Sequence, residues 1–418
     1  FSKWLLNGSD YSTSQEVTVT VRGSTSLTAV FTALPPRFSF VYWDESVAGP
    51  VGLKQRFTAV IEIVGEGGGV VRVEVWDHGG TLVNSSTLTL QPGGLGVVKL
   101  TVTLPLVRGT YTWTAVAVNA FTGEIDDSKS FIVYAMDLYL KVRGAVCYAP
   151  FEALPIGWSW IGGTWSIAAG SGVEGSALQG VDNSGGPGGT LVYYWATGIS
   201  AYTSLQAVVQ VRVTFVDSVY RGIVLLQDAS SASRLYEVSV RPRRVGANDR
   251  ITVYIRRWTG GWTALTSQTV SYASGWYTLY VSWSRSGNTN TINAVLYDSS
   301  GNQVASVSRS DSQVTVNYFG LDVDGWTSLF DNFVLSTSDP RYVVVSGLQQ
   351  GWSVELRDAG GVLVASAIAD SSGVARLFIA ARPIVLNAKI AVKDSLNDVV
   401  VEKGFNEVVG GDEYAYGP

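Results

Sequence analysis

The stretch Val70-Val71-Arg72-Val73-Glu74-Val75-Trp76 puts Val71, Val73 and Val75 on one side of an extended chain and Arg72 and Glu74 on the other. A period of two is the pattern of a half-buried strand, because successive side chains leave the pleat on opposite faces. The same alternation returns at Val17, Val19, Val21 against Thr18, Thr20, Arg22, and again at Leu27, Ala29, Phe31. Nowhere do apolar residues keep the spacing of an amphipathic helix over three turns. The chain therefore reads as all-β.

With 418 residues it exceeds what one core of about 100 to 200 residues holds, so the reading is of tandem β-sandwich domains with a central jelly roll. Residues 1–35 hold two or three short strands, too few to bury a core, and close on Leu34-Pro35-Pro36 as a stiff linker. Residues 37–135 carry alternating runs at 57 to 64, 70 to 76, 88 to 90, 97 to 104, 111 to 118 and 131 to 134, parted by Gly, Asp and Asn turns. Residues 138–337 hold most of the Trp and have the size of a jelly roll. Residues 341–405 alternate again, with turns at Asp358-Ala359-Gly360-Gly361 and Asp370-Ser371-Ser372-Gly373. Residues 406–418 read as a mobile tail.

Four resemblances follow from particular strings. Phe1-x-x-Trp4-x-x-Asn7-Gly8 with the run Val17 to Phe31 resembles the second half of the small β repeat related to the internalin B-repeat, which implies a surface location and a spacer or adhesive role. Arg108-Gly109-Thr110-Tyr111-Thr112-Trp113, followed by Asn119 and Gly123, resembles the penultimate strand of an immunoglobulin-like domain, with Tyr111 as a tyrosine corner. Trp158-Ser-Trp160 through Trp165, Tyr220-Arg-Gly222, Tyr236-Glu-Val238, Gly275-Trp276-Tyr277, Phe319-Gly320-Leu321 and Phe330-Asp331-Asn332-Phe333 occur in order. Together they resemble the laminin-G-like and concanavalin-A-like lectin/glucanase jelly rolls, which implies a carbohydrate-binding or adhesion module. Residues 341–405 are similar to the prealbumin-like modules of secreted proteins.

Charge narrows the function classes. Charged residues are 15% of the chain and the net charge is −5, against a common share near ~25%. So uncharged a surface favours contact with copies of itself. It gives no basic face for nucleic acid, and Arg243-Arg244 and Arg256-Arg257 read as decoration of solvated strands or turns. No apolar run approaches the ~20 residues of a membrane span. The chain opens at Phe1 without Met or a charged leader, which fits a processed precursor or residues upstream.

Chemistry is sparse. The chain has one His and one Cys, so it holds no intrachain disulfide and no His/Cys metal set. His78 falls in the turn Asp77-His78-Gly79-Gly80, and Cys147 reads as a small packing residue. Glu124-Ile125-Asp126-Asp127 touches the glucanase pattern Glu-x-Asp-x-x-Glu but has Lys129 at the third acidic position, so it reads as a solvated turn. No catalytic centre is expected. Asp322, Asp324 and the later Asp331 could supply oxygens to a structural calcium ion, which takes about six to eight; no other cofactor is implied. Trp258-Thr-Gly-Gly-Trp262 sets two indoles about a turn, either as a sugar platform or as a cross-strand pair. Asn7 in Asn-Gly-Ser and Asn84 in Asn-Ser-Ser fit the N-glycosylation pattern.

The expectation is a non-enzymatic extracellular or cell-surface structural or adhesive protein, a filament or surface-layer subunit assembled by strand addition from copies of itself and carrying a lectin-like module. The alternative is the accessory carbohydrate-binding portion of a secreted polysaccharide-degrading enzyme.

Overall fold

The computed structural model describes the chain apart from residues 1, 22, 32–35, 65–66, 156, 162, 174, 183–189, 195–198, 215–218, 229–232, 246–247, 272 and 326. The expected linker residues Leu34 and Pro35 lie outside the described residues. The protein is all-β. Its sheets form several sandwich-like domains, and the only helix among the described residues is a single 3-10 turn, Ile199–Ala201. The chain divides into two compact units, one of residues 1–137 with 417–418 and one of residues 138–416.

The first unit begins with Lys3–Leu6, Ser9–Ser12 and Leu27–Val30, a three-stranded antiparallel sheet. Val17 to Val21 alternate in sequence but form no strand. A sandwich follows. Arg37–Trp43, Lys54–Val64 and Leu95–Thr103 make one sheet, and Gly69–Trp76, Leu82–Leu90, Gly109–Asn119, Ile125–Val142 and Ser46–Pro50 contribute to the other. Phe57, Ile61, Val73, Trp113 and Phe131 fill the space between. The Tyr111 hydroxyl donates to Val107 O at 2.9 Å. The Asp126-Asp127 string is not the expected solvated turn. Asp126 accepts from Phe38 N (3.1 Å) and Asp127 from Phe40 N (2.9 Å), so both carboxylates fasten Arg37–Trp43.

In the second unit, two sheets face each other across a core of Leu205, Val209, Ile223, Tyr236, Trp283, Phe319 and Phe330. The eight-stranded sheet runs Thr164–Ala168, Ala177–Val181, Thr327–Ser336, Ser204–Val213, Gly275–Ser286, Thr289–Tyr297, Gln303–Asp311, with Ala145–Ala149 also on Thr327–Ser336. The seven-stranded sheet runs Trp158–Ile161, Thr190–Tyr194, Tyr318–Asp324, Tyr220–Leu226, Leu235–Val245, Asn248–Trp258, Trp262–Ser271.

A small sandwich completes this unit, with Leu363–Ile368, Ser353–Arg357, Ile384–Lys393 and Val399–Val409 as one sheet. It docks on the eight-stranded sheet: Ala380, Ile384 and Val409 form one apolar cluster with Val208, Tyr280, Val295 and Val334. Gln210 Nε2 donates to Ala381 O at 2.7 Å beside it. The expected mobile tail is corrected here. Residues 406–409 finish a strand, and Glu413–Gly417 forms another, parallel to Tyr342–Ser346. Tyr414 and Tyr416 alternate into the interior and are buried, which gives the segment enough apolar surface to order it.

Candidate functional site

With the eight-stranded sheet covered by the small sandwich, the outer face of the seven-stranded sheet is where unusual chemistry collects. Alternation decides who is there. Ile223, Leu225, Val238, Val240, Val253, Ile255, Phe319, Leu321 and Val323 point into the core, so their neighbours in sequence point outward.

Register orders those outward residues into rows. The first is Trp262, Trp258, Leu235, Leu226, Tyr318. Next comes Arg256, Glu237, Val224, Gly320, then Tyr254, Ser239, Gly222, Asp322. Beyond them Tyr220 faces Asp324, and Arg241 donates to the Tyr220 hydroxyl at 2.9 Å. Gly222 is required: a Cβ there would collide with the backbone oxygen of Val238. The backbone of Leu235–Val245 fills the space a side chain would take there.

Arg256 lies buried on this face. Its guanidinium carbon is 3.5 Å from the centre of the Tyr220 ring and 3.9 Å from that of Trp262, a cation between two π faces. It pairs with Glu237 and, at 3.2 Å, with Asp324. Arg256, Glu237 and Asp322 are all buried. Burial, then the nearby Glu237 and Asp324 carboxylates, hold the Asp322 carboxyl well above the usual range. Such packing of ionisable groups on a sheet's outer face is a feature of functional sites.

The residues singled out by the sequence fall as follows. Trp258 and Trp262 are the cross-strand pair, with ring centres 5.4 Å apart and planes at 58°. They are half-buried against Val224, Leu226 and Leu235, and one face of Trp262 is taken by Arg256. Asp322, Asp324 and Asp331 are not brought together as a calcium set. Asp322 and Asp324 join Arg256, whereas Asp331 lies on the other sheet, accepting from Val173 N (2.7 Å) and Asn332 N (2.8 Å). Among the described residues no group of three His, Cys, Asp or Glu is placed to hold a metal ion. Arg256 is no solvated decoration, and Arg257 bonds Asp311 at 2.6 Å.

Asn7 sits in the exposed turn after Lys3–Leu6, its side-chain oxygen accepting from Ser26 N at 3.0 Å. Asn84 lies within a strand and spends its amide nitrogen on Thr101 O at 2.7 Å. Of the two sequons, Asn7 thus has the accessible geometry. His78 stacks on Tyr111 with ring centres 4.6 Å apart. Burial pushes the Cys147 thiol up to about 12, which disfavours its thiolate form.

As members of one cluster, Glu237, Arg256, Tyr220 and Gly222 escaped sequence reasoning: Tyr220, Gly222 and Glu237 stood only within the strings that carry the jelly-roll resemblance, and Arg256 was expected on a solvated strand or turn. The legible signal was an Arg set between Tyr254 and Trp258 in the outward positions of Asn248–Trp258.

No protein-family model matches the chain. No curated protein matches it. Among solved structures it is similar to the CARDB domain of a Pyrococcus furiosus protein in complex with di-metal ions, at 20% identity over 25% of this chain and 97% of that one, TM-score 0.21. It is also similar to the CBM2 module of the evolved Dit of Lactobacillus casei BL23 phage J-1, at 15% identity over 46% and 94%, TM-score 0.30. A functionally unknown Saccharomyces cerevisiae protein aligns at 12% identity over 43% and 96%, TM-score 0.29. The likeness is one of β-sandwich domains.

Proposed function

We propose that the protein is a non-enzymatic, extracellular surface protein whose jelly roll holds carbohydrate on the outer face of its seven-stranded sheet. The observation that carries this reading is the row of Trp262, Trp258 and Tyr318 beside the charged cluster of Arg256, Glu237 and Asp324. Sugar rings need an apolar face for their C–H side and charged or amide groups for their hydroxyls, and both stand here within a few strands. Hydrolysis needs two carboxyls reaching the bond from opposite sides. Glu237 is instead fully buried and tied to Arg256, which supports binding without cleavage.

The test is retention on immobilised polysaccharides together with an assay for released reducing ends. The Trp258→Ala variant is expected to lose about tenfold or more in affinity with the fold intact, and no reducing ends are expected from the wild type. Unchanged retention by that variant would remove the face from any role in binding.

Assembly from copies of itself is the second part of the proposal. Among the described residues from Ser2 to Phe31 none is buried, and Phe31 is 70% exposed. Three short strands with no interior lack the burial that orders a sheet, and their edges offer unpaired backbone groups. A second copy that adds a strand meets both needs, and such a head-to-tail contact propagates. Deleting residues 1–35 should abolish polymers seen by light scattering and electron microscopy; polymers of unaltered size would exclude this segment from assembly.

A further inference from the structure

In the small sandwich, Ala375–Phe378, Tyr342–Ser346 and Glu413–Gly417 lie side by side in one sheet. Val343, Val345, Ala375, Leu377 and Tyr414 are buried, so alternation sends Tyr342, Val344, Ser346, Arg376 and Glu413 to the opposite face. These side chains, with Ser338 and Asp339, line a cleft of about 580 Å³, a volume within the range of small-molecule sites. Register sets Arg376 and Glu413 on either side of Val344, two strand spacings or about 10 Å apart. The acids of the cleft already have their cations. Lys141 Nζ donates to Glu413 at 2.9 Å, and Arg341 Nη2 donates to Asp339 at 2.6 Å. Arg376 is exposed, and its guanidinium makes no ion pair or hydrogen bond among the described residues.

We propose that this cleft takes an acidic sugar, a hexuronate unit of a polysaccharide, with its carboxylate on Arg376 and its ring over Val344 and Tyr342. The site lies on a different sheet from Trp258 and stands or falls apart from it. With Glu413 and Asp339 each met by a cation, Arg376 leaves the cleft positive, which favours an anion over a neutral ligand. The planar fork of an arginine matches the two oxygens of a carboxylate. Val344 and the Tyr342 ring offer apolar surface to the C–H side of the sugar. On the far side of Val344, Glu413 keeps lone pairs for sugar hydroxyls. The Ser346 hydroxyl donates to Tyr414 O at 3.2 Å, so its oxygen is left to accept another. An inorganic anion would use Arg376 alone and neither the apolar floor nor the far wall.

The experiment titrates the full chain with trimers of galacturonate and of glucuronate, with the methyl esters of both, and with inorganic phosphate. At least one acid trimer is expected to bind about tenfold tighter than its ester, and added salt should weaken that preference. Arg376→Gln, a change at an exposed position, should reduce the acid to the level of its ester. The preference should persist in the Trp258→Ala protein, in which the jelly-roll face is impaired, so the two sites are read separately. Equal binding of acid and ester, binding of neither, or a preference that survives Arg376→Gln would overturn the inference. So would loss of the preference in Trp258→Ala, which would move the acid to the jelly-roll face. Phosphate that displaces the trimer at the trimer's own concentration would reduce the cleft to an unselective anion site and overturn its assignment to a sugar. The ester comparison and the salt dependence are read on the wild type, so the outcome does not hang on a variant that fails to fold.

Discussion

Truncating Trp283 to alanine should lower the unfolding free energy of the second unit by about 3 to 5 kcal/mol, the range for a large aromatic removed from a packed core. Trp283 is 1% exposed, and its ring meets that of Phe319 edge-on at 6.0 Å. It also anchors a polar chain. Its Nε1–H donates to Asn290 Oδ1 at 2.9 Å, and Asn290 Nδ2 donates onward to Val314 O at 2.7 Å. Alanine thus opens a cavity and leaves a buried amide oxygen without its donor, so both penalties act together. Denaturant unfolding followed on the second unit checks it. Trp258→Ala serves as comparison, since Trp258 is only half-buried and should cost less. A Trp283→Ala protein as stable as Trp258→Ala would show that this core does not depend on the indole.

Alternation made the strands legible wherever one face meets a core. The Val71, Val73, Val75 pattern lies within Gly69–Trp76, as expected of a central strand. Pattern failed where burial comes from elsewhere or is missing. Val17 to Val21 alternate as well, yet none of their side chains is buried and they form no strand. Ile125–Val142 starts well before the apolar run at 131, because Asp126 and Asp127 bond the neighbouring backbone and carry the ladder through a polar stretch. Glu413-Tyr-Ala-Tyr-Gly417 also alternates, but its acids and glycines masked two interior tyrosines.

The candidate site was half legible for a related reason. Trp258 and Trp262 flank one hairpin, so their pairing needs only local geometry. Glu237, Arg256 and Asp322 lie on three strands, with Asp322 far along the chain from the other two. They meet only through the register that sets Glu237 against Arg256 and Gly222 against Asp322. Register across a seven-stranded sheet is not written in any short window of sequence. A charged residue in an apolar strand is by default solvated, and only the flanking rings make Arg256 a buried one.

That burial sets the other large expected effect. Arg256→Met should destabilise the second unit by about 3 to 5 kcal/mol, because it leaves Glu237 fully buried without its counter-charge. The methionine keeps much of the arginine's apolar stem, so the loss reads the charge rather than the packing. Stacking against Tyr220 and Trp262 is lost too, a smaller contribution. Removing both charges separates stability from function. Arg256→Met combined with Glu237→Leu should recover most of the lost stability, since a buried ion pair is often no better than apolar residues of similar volume. If the cluster helps to hold carbohydrate, that double variant will fold and still lose retention on immobilised polysaccharide. Guanidinium midpoints of the wild type, single and double variants, with retention measured on the folded ones, give the answer. A single variant within about 1 kcal/mol of the wild type would mean that Glu237 takes up a proton at little cost and that the pair is not what holds this face together.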